Sequence, residues 1–120
     1  MEKRKRQIIP QRQEVWVAHF DPAVGSEVRK TRPALVLQND IANRYSPVTI
    51  VAAITSQAGD PLYPDEAFLR AGEGGLRMPS VVQLGQIRTV DKRRLTKRLG
   101  VISDEAMRRV ERALEISLGL

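Results

Sequence analysis

The residues best suited to chemistry lie in one charged loop, which runs from Gly25 to Pro33 between two apolar stretches. The loop carries one carboxylate, three basic side chains and two hydroxyls beside a glycine that permits unusual backbone angles. Arg32 leads directly into a strand-like stretch, so its position should be well fixed, and a fixed guanidinium offers forked donors to phosphate oxygens. Glu27 could accept a proton from a sugar hydroxyl. A salt-bridged surface loop is the competing interpretation, and the residue types alone favour it slightly.

Most other catalytic arrangements are missing from the sequence. Cysteine is absent, which excludes thiol chemistry, disulfides and thiolate metal sites. The single histidine, His19, excludes a two-histidine ribonuclease, and its place in a strand pattern favours a structural role. The carboxylates are scattered, whereas a metal-dependent nuclease needs them clustered, and no glycine-rich phosphate loop with a following lysine is present. The sequence therefore predicts neither a metal nor a cofactor.

Charge and length narrow the class of protein further. The 120 residues fit one domain, and the net charge of +6 with a pI of about 10.3 favours a polyanionic partner such as RNA or DNA. A solvated basic surface explains the same charge equally well. No segment approaches the roughly 18 apolar residues of a membrane helix, and no secretory signal is evident. We therefore expect a cytoplasmic protein.

Apolar patterns predict several short strands joined by turns. Residues 39–47 and 71–75 are predicted to be turn-rich connections because of their Asn, Ser, Pro and Gly content. The predicted strands cover residues 14–20, 33–38, 48–55, 67–70, 80–90 and 96–101.

One helix is predicted at the end of the chain. Ser103 is a suitable N-cap, Gly119 a suitable stop, and an apolar stripe for the core lies between them. The stripe comprises Met107, Val110, Leu114 and Leu118. Residues 1–12 are predicted to be a basic flexible arm, and residues 13–120 a single, mainly β domain with some α structure, a small bent barrel that the helix caps.

Five segments, in order along the chain, resemble the MazF/PemK-type toxin family. They are FDPAVGSE (20–27), KTRPALV (30–36), VAAITS (51–56), QIRTVDKRRL (86–95) and ALEISLGL (113–120). The resemblance covers roughly residues 13–120. It implies an SH3-like barrel of the CcdB/PemK type with a C-terminal helix, assembled as a homodimer. It also implies a sequence-selective, ribosome-independent mRNA endonuclease that is the toxin of a type II toxin–antitoxin pair.

The same resemblance assigns roles to particular residues. The family's catalytic arginine falls on Arg32, its catalytic threonine on Thr55 and its loop glutamate on Glu27. The implied substrate is single-stranded mRNA, and the implied partner is a cognate acidic antitoxin that occupies the same region and joins the toxin in DNA binding. No cofactor is implied.

Cleavage without a metal is easiest if the RNA attacks itself. Its 2′-hydroxyl adds to the neighbouring phosphorus and expels the 5′-oxygen, which yields a 2′,3′-cyclic phosphate and a 5′-hydroxyl. Arg32 suits stabilisation of the extra phosphorane charge, and Thr55 can donate one more hydrogen bond. Glu27 is the less costly general base because arginine titrates above about 12, but Arg32 itself stays an alternative.

Selectivity should come from contacts to unpaired bases. Gln86 is a candidate by resemblance and Asn39 a weaker one, while Arg88 and Lys92 begin a basic segment that can hold phosphates or form a solvated strand edge. The predicted RNA-binding residues are Ser26, Arg29, Lys30, Thr31, Asn39, Ser56, Gln86, Arg88 and Lys92.

Two other functions fit the same barrel. One is a noncatalytic toxin that poisons DNA gyrase by binding it, and the other is a plain RNA-binding module. The combination of the Glu27–Arg32 loop with Thr55 favours the nuclease.

Overall fold

The computed structural model describes residues 8–20, 31–57, 59 and 61–120. These residues form six strands, two α-helices and two short 3₁₀ turns, Glu73–Gly75 and Lys92–Arg94. In chain order the strands and helices are β1 (Glu14–His19), β2 (Thr31–Val36), α1 (Asp40–Tyr45), β3 (Val48–Thr55), β4 (Glu66–Leu69), β5 (Ser80–Asp91), β6 (Leu95–Val101) and α2 (Asp104–Leu118).

The strands make one antiparallel sheet in the order β4-β5-β3-β2-β1-β6. β2 and β3 are therefore central, which explains why their sequences are almost continuously apolar: both faces of the sheet are covered. β5 is one long strand, and its register against β3 shifts between Ala52 and Ala53, opposite Gly85. The antiparallel sheet with a C-terminal helix confirms the predicted fold class.

Alternate residues of the central strands enter two separate apolar clusters. Leu35 and Ile54 join the larger cluster, which packs under α2, whereas Ala34 and Ala53 join a smaller cluster on the other face that includes Phe20. The period-two alternation of a strand produces this division. Residues at the ends of β2 and β3 are consequently held by packing on both sides.

The helix α2 begins and ends as predicted. The Ser103 hydroxyl accepts a hydrogen bond from the Ala106 N–H at 3.1 Å, and Gly119 ends the helix in the left-handed region. The expectation that Leu118 joins the core is wrong, because the buried line runs through Ala106, Val110 and Ala113, and Leu118 lies beside it, 57% exposed. Within the described residues no helix is both long and apolar enough to cross a membrane.

The prediction that residues 39–47 form only a turn-rich connection missed a helix. Residues Asp40–Tyr45 form α1, whose N-terminus is capped by the Asn39 side chain. The helix forms because Asn43 is fully buried and hydrogen-bonded to Gln38 and Thr49, contacts that a local pattern does not reveal.

The predicted N-terminal arm is described only in part, since residues 1–7 lie outside the described residues. Pro10 is buried, and the Arg12 guanidinium donates to the Leu37 carbonyl and pairs with Glu111 at 3.0 Å. A boundary between arm and domain at residue 12 stays a prediction.

Candidate active site

Arg32 and Thr55 lie at neighbouring ends of the two central strands. Arg32 is paired with Ala18 of β1, and β2 runs against β3 with Ala34 opposite Ala53. Extending that antiparallel register by two residues brings Arg32 opposite Thr55, although 22 residues separate them in the chain. Arg32 is half-buried and Thr55 is buried. The sheet thus brings together the two predicted catalytic residues that the structure describes.

Both residues line one open pocket of about 570 Å³, a volume in the range of small-ligand sites. Two walls come from the ends of β2 and β3, and the third from the segment between the turn Glu73–Gly75 and β5. The lining residues are Thr31, Arg32, Pro33, Ile54, Thr55, Ser56, Gln57, Leu76, Arg77, Met78 and Ser80. Of the predicted RNA-binding residues, Thr31 and Ser56 therefore share the pocket of Arg32 and Thr55.

The Thr55 hydroxyl is oriented by the backbone that follows it. Its Oγ1 accepts a hydrogen bond from the Gln57 N–H at 3.0 Å, in a side-chain turn typical of threonine. One lone pair of the oxygen is thereby used, and the hydroxyl proton stays available to donate to a ligand. A fixed hydroxyl donor beside a guanidinium is suited to the nonbridging oxygens of a phosphate.

His19 lies next to the pocket, at the end of β1. Its Nδ1 is 3.2 Å from the hydroxyl oxygen of Thr31, the cross-strand neighbour that directly precedes Arg32. The His19 carbonyl accepts from Arg94 at 3.3 Å. The imidazole is exposed and holds the start of β2, which agrees with a structural role.

Four predicted RNA-binding residues are not among the residues that line the pocket. Asn39 caps α1 through the Ala42 N–H at 2.9 Å, and Lys92 donates to the Asn43 carbonyl. The Arg88 guanidinium lies 4.9 Å from the centre of the Phe20 ring. Gln86 lies half-buried in β5. Asn39, Arg88 and Lys92 therefore each contact another residue of the chain, and these contacts explain their positions without RNA.

The basic segment after β5 is partly neutralised within the chain. Arg93 pairs with Asp91 at 3.0 Å, and its hydrogen bond lowers the pKa of that carboxyl below the ordinary value. Arg98 pairs with Glu14 at 2.7 Å. These contacts give two arginines of the segment a partner within the chain; whether the segment holds phosphates or is a solvated strand edge stays a prediction.

The remaining predicted site residues belong to the segment that precedes β2. Glu27, Ser26, Arg29 and Lys30 lie outside the described residues. Among the residues that are described, no group of three or more histidine and carboxylate side chains is arranged to hold a metal ion.

Sequence reasoning missed one wall of the pocket. Leu76, Arg77 and Met78 come from a short connection without periodicity, and Ser80 from the start of β5, more than 20 residues after Thr55. Gln57, the residue that orients Thr55, was also missed. The only signal for Gln57 is its position two residues after Thr55, a catalytic candidate.

Comparison with protein families assigns this six-stranded sheet with its C-terminal helix to a class of small toxins. The family profile of the PemK-like, MazF-like toxin of type II toxin–antitoxin systems matches residues 11–118. The chain therefore belongs to this family, as the sequence predicts.

Individual relatives agree with this membership. Endoribonuclease EndoA of Bacillus subtilis (strain 168) is 47% identical over 113 residues, which are 94% of this chain and 97% of the relative. The crystal structure of MazF (Form-I) from Deinococcus radiodurans is 28% identical, with a TM-score of 0.80 over 95% of this chain and 100% of that one. A MazE–MazF structure (Form-I) from the same organism is 27% identical, with a TM-score of 0.70 and the same coverage. The predicted enzyme class, an endoribonuclease, is confirmed by the curated relative and the family.

Proposed function

We propose that this toxin cleaves single-stranded mRNA at selected sequences, without the ribosome and without a metal, through attack by the substrate's own 2′-hydroxyl. The observation that carries the proposal is the shared pocket of Arg32 and Thr55 at the ends of β2 and β3. An RNA phosphate in that pocket meets a guanidinium and an oriented hydroxyl together. The resemblance of the surrounding segments to ribosome-independent mRNA endonucleases supports the same reaction.

The reaction requires one bond to form and one to break at phosphorus. The 2′-oxygen loses its proton and bonds to the phosphorus, and the bond to the 5′-oxygen breaks as that oxygen gains a proton. The products are a 2′,3′-cyclic phosphate and a 5′-hydroxyl. Arg32 stabilises the phosphorane charge through its forked donors, and Thr55 donates its hydroxyl proton to a nonbridging oxygen. Donors that are fixed before the reaction lower the barrier most.

We assign removal of the 2′-hydroxyl proton to Glu27. A carboxylate is a ready acceptor at neutral pH, whereas a neutral guanidine is costly because arginine titrates above about 12. Glu27→Gln separates this assignment from base catalysis by Arg32. The variant should lose most of its cleavage activity, and the fall of kcat/KM at low pH should disappear from its pH profile. If that fall is unchanged, the general base is Arg32.

The proposed partners follow from the family and from charge. As a toxin of a type II system, the chain should form a homodimer in the cytoplasm and bind a cognate antitoxin with an acidic segment. The net charge of +6 suits both an acidic polypeptide and RNA. In this proposal the antitoxin inhibits by occupying the RNA-binding face.

Incubation of the pure protein with a long single-stranded RNA in EDTA tests the proposal. Defined fragments with 5′-hydroxyl and 2′,3′-cyclic phosphate ends are expected, and primer extension then maps the recognised sequence. Arg32→Ala should lower the rate at least about 10²-fold, whereas Arg112→Ala, which removes the same charge from the exposed side of α2, should not. Intact RNA with the wild-type protein would favour a noncatalytic toxin, and full activity in Arg32→Ala would refute the assignment of Arg32.

A substrate with a 2′-deoxy sugar at the mapped cut site tests the chemistry separately. It should bind the protein and stay intact, because the attacking oxygen is missing. Cleavage of this substrate would exclude self-attack while leaving the protein an endoribonuclease.

A further inference from the structure

We propose that Arg77 is a second phosphate-binding residue of the active-site pocket, which holds the RNA phosphate next to the scissile one. This inference rests on the proposed RNA cleavage at Arg32 and Thr55. Arg77 lies on the wall that faces the ends of β2 and β3, in the connection between the turn Glu73–Gly75 and β5. It deepens the proposed function by naming a group that binds substrate without taking part in the chemical step.

The backbone around Arg77 is held firmly at both ends. Leu76 is 7% exposed and Ser80 is 5% exposed, while the three residues between them are exposed. The Ser80 hydroxyl donates to the Met78 carbonyl at 2.9 Å, which closes the connection on itself. Arg77 therefore projects from a short, anchored bridge, and less entropy is lost when it binds a ligand.

The preceding turn is fixed to the rest of the domain as well. Both oxygens of the Glu73 carboxylate accept hydrogen bonds from Ser103, one from its N–H and one from its hydroxyl. A Cβ on Gly75 would lie 2.1 Å from the Leu99 carbonyl oxygen, so the turn is packed directly on β6. The third wall of the pocket is thus tied to both β6 and the start of α2.

The charge of the pocket points to an anionic ligand with more than one phosphate. Among the described residues that line the pocket, Arg32 and Arg77 are the charged ones, and the other side chains carry hydroxyls, an amide or only apolar groups. Within the described part of the chain no carboxylate pairs with Arg77. Two cations that share a pocket repel each other until an anion lies between them, so a polyanion gains affinity from both.

A neighbouring phosphate is the better assignment for Arg77 than the scissile one. The scissile phosphate already meets Arg32 and Thr55 from the adjoining strand ends, and the pocket is wider than one phosphate group. A contact to a neighbouring phosphate strengthens binding of substrate and transition state equally. Such a contact lowers KM and leaves kcat nearly unchanged.

The kinetic test compares three variants on the RNA that the wild-type protein cleaves. Arg77→Ala should raise KM about tenfold or more, as expected for loss of a charge-assisted hydrogen bond, with kcat within about twofold. The slope of log Kd against log salt concentration should become smaller by the contribution of about one phosphate contact. Arg112→Ala is the matched control and should leave KM, kcat and the salt dependence of Kd unchanged. Arg77→Gln, which keeps the length of the side chain, should behave like Arg77→Ala.

The position of the contact can be mapped with neutral phosphates. Single methylphosphonates are placed on either side of the cut site in an RNA whose scissile sugar is 2′-deoxy. At one of the two positions the methylphosphonate should weaken binding to the wild-type protein about as much as Arg77→Ala does. The same methylphosphonate should not weaken binding to the Arg77→Ala protein any further. If each methylphosphonate weakens binding to the wild-type and Arg77→Ala proteins by the same factor, the proposal is overturned.

Failure of this inference differs from failure of the proposed function. If cleavage depends on Arg32 but Arg77→Ala equals Arg112→Ala on RNA, only the role of Arg77 is refuted. A change in antitoxin affinity without a change in KM would also refute it, because the pocket wall would then serve the protein partner. If wild-type protein does not cleave RNA at all, the proposed function itself fails.

Discussion

The backbone N–H of Gln57 donates to the hydroxyl oxygen of Thr55 at 3.0 Å. This contact fixes the Thr55 side chain so that its proton can point into the pocket that it shares with Arg32. Thr55→Ser keeps the hydroxyl and the acceptor for Gln57, and it should keep cleavage within about tenfold of wild type. Thr55→Val keeps the shape and removes the donor, and it should lower kcat about 10²–10³-fold, the usual cost of one transition-state donor.

Single-turnover cleavage of a mapped RNA measures the effect of both variants on the chemical step. Binding of the 2′-deoxy substrate serves as the control, since the hydroxyl acts mainly in the transition state and Kd should change little. A Thr55→Val protein that cleaves as fast as Thr55→Ser would show that the hydroxyl has no part in the reaction.

The glycine pair Gly72 and Gly75 tests whether the third wall of the pocket depends on its contact with β6. Both have positive φ, +98° and +76°, but an added Cβ is free at Gly72 and meets the Leu99 carbonyl at Gly75. Gly72→Ala should lower the free energy of unfolding by about 1–2 kcal/mol through backbone strain alone. Gly75→Ala adds a steric clash and should cost about 3 kcal/mol.

Urea unfolding and KM should be measured together for these two variants. Because Gly75 directly precedes Leu76 and Arg77, Gly75→Ala should also raise KM, whereas Gly72→Ala should leave it unchanged. Equal unfolding free energies for the two variants would mean that the turn does not need its approach to Leu99.

Parts of this fold follow from local sequence, and other parts do not. The helix α2 is predictable because its N-cap, its apolar spacing and its terminal glycine are all local signals. The helix α1 is not, since it depends on burial of Asn43 against Gln38, which follows β2, and Thr49 of β3. The proposed roles of Arg32 and Thr55 rest on family resemblance. The residues alone left Arg32 in a charged loop, and only the sheet register explains why the two are neighbours.

The wall formed by Leu76, Arg77 and Met78 was beyond prediction for a related reason. Its residues have no periodicity, and its place opposite β2 and β3 is set by the anchoring of Glu73 and Gly75 to Ser103 and Leu99. Contacts of this kind join distant segments, so neither spacing nor composition reports them.

The Asp91–Arg93 pair predicts a small dependence of stability on pH. The hydrogen bond from the Arg93 guanidinium lowers the pKa of Asp91 below its ordinary 3.8, so folding favours the charged carboxylate. Its contribution is therefore present above that ordinary value and is lost as the pH falls through the lower folded-state pKa. The difference in urea midpoint between wild type and Asp91→Asn should be largest near neutral pH and should shrink in strong acid.

Arg93→Gln provides the matched control for the pH effect. It removes the guanidinium instead of the carboxylate, and it should reduce the same acid-dependent difference without abolishing it, because the backbone N–H of residue 93 still donates to Asp91. If the wild-type and Asp91→Asn midpoints differ by a constant amount at every pH, the effect of the substitution arises from something other than this ion pair.

Asn43 should be a principal source of stability for the connection between β2 and β3. It is fully buried, and its side-chain oxygen accepts from Gln38 at 3.0 Å and from Thr49 at 2.7 Å. Its amide donates to the Gln38 carbonyl at 2.8 Å, and its own carbonyl accepts from Lys92. Asn43→Ala leaves buried polar groups without partners and should lower the free energy of unfolding by about 3 kcal/mol.

Asn39→Ala is the matched control for Asn43, because it removes the same side chain from the exposed end of the same helix. It loses one cap hydrogen bond, to the Ala42 N–H, and should cost about 1 kcal/mol. Both should be measured by urea unfolding at one protein concentration, since assembly of the chain would otherwise shift the midpoints. A loss for Asn43→Ala no greater than that for Asn39→Ala would show that the buried contacts are replaced by water, and that α1 is held mainly by its cap.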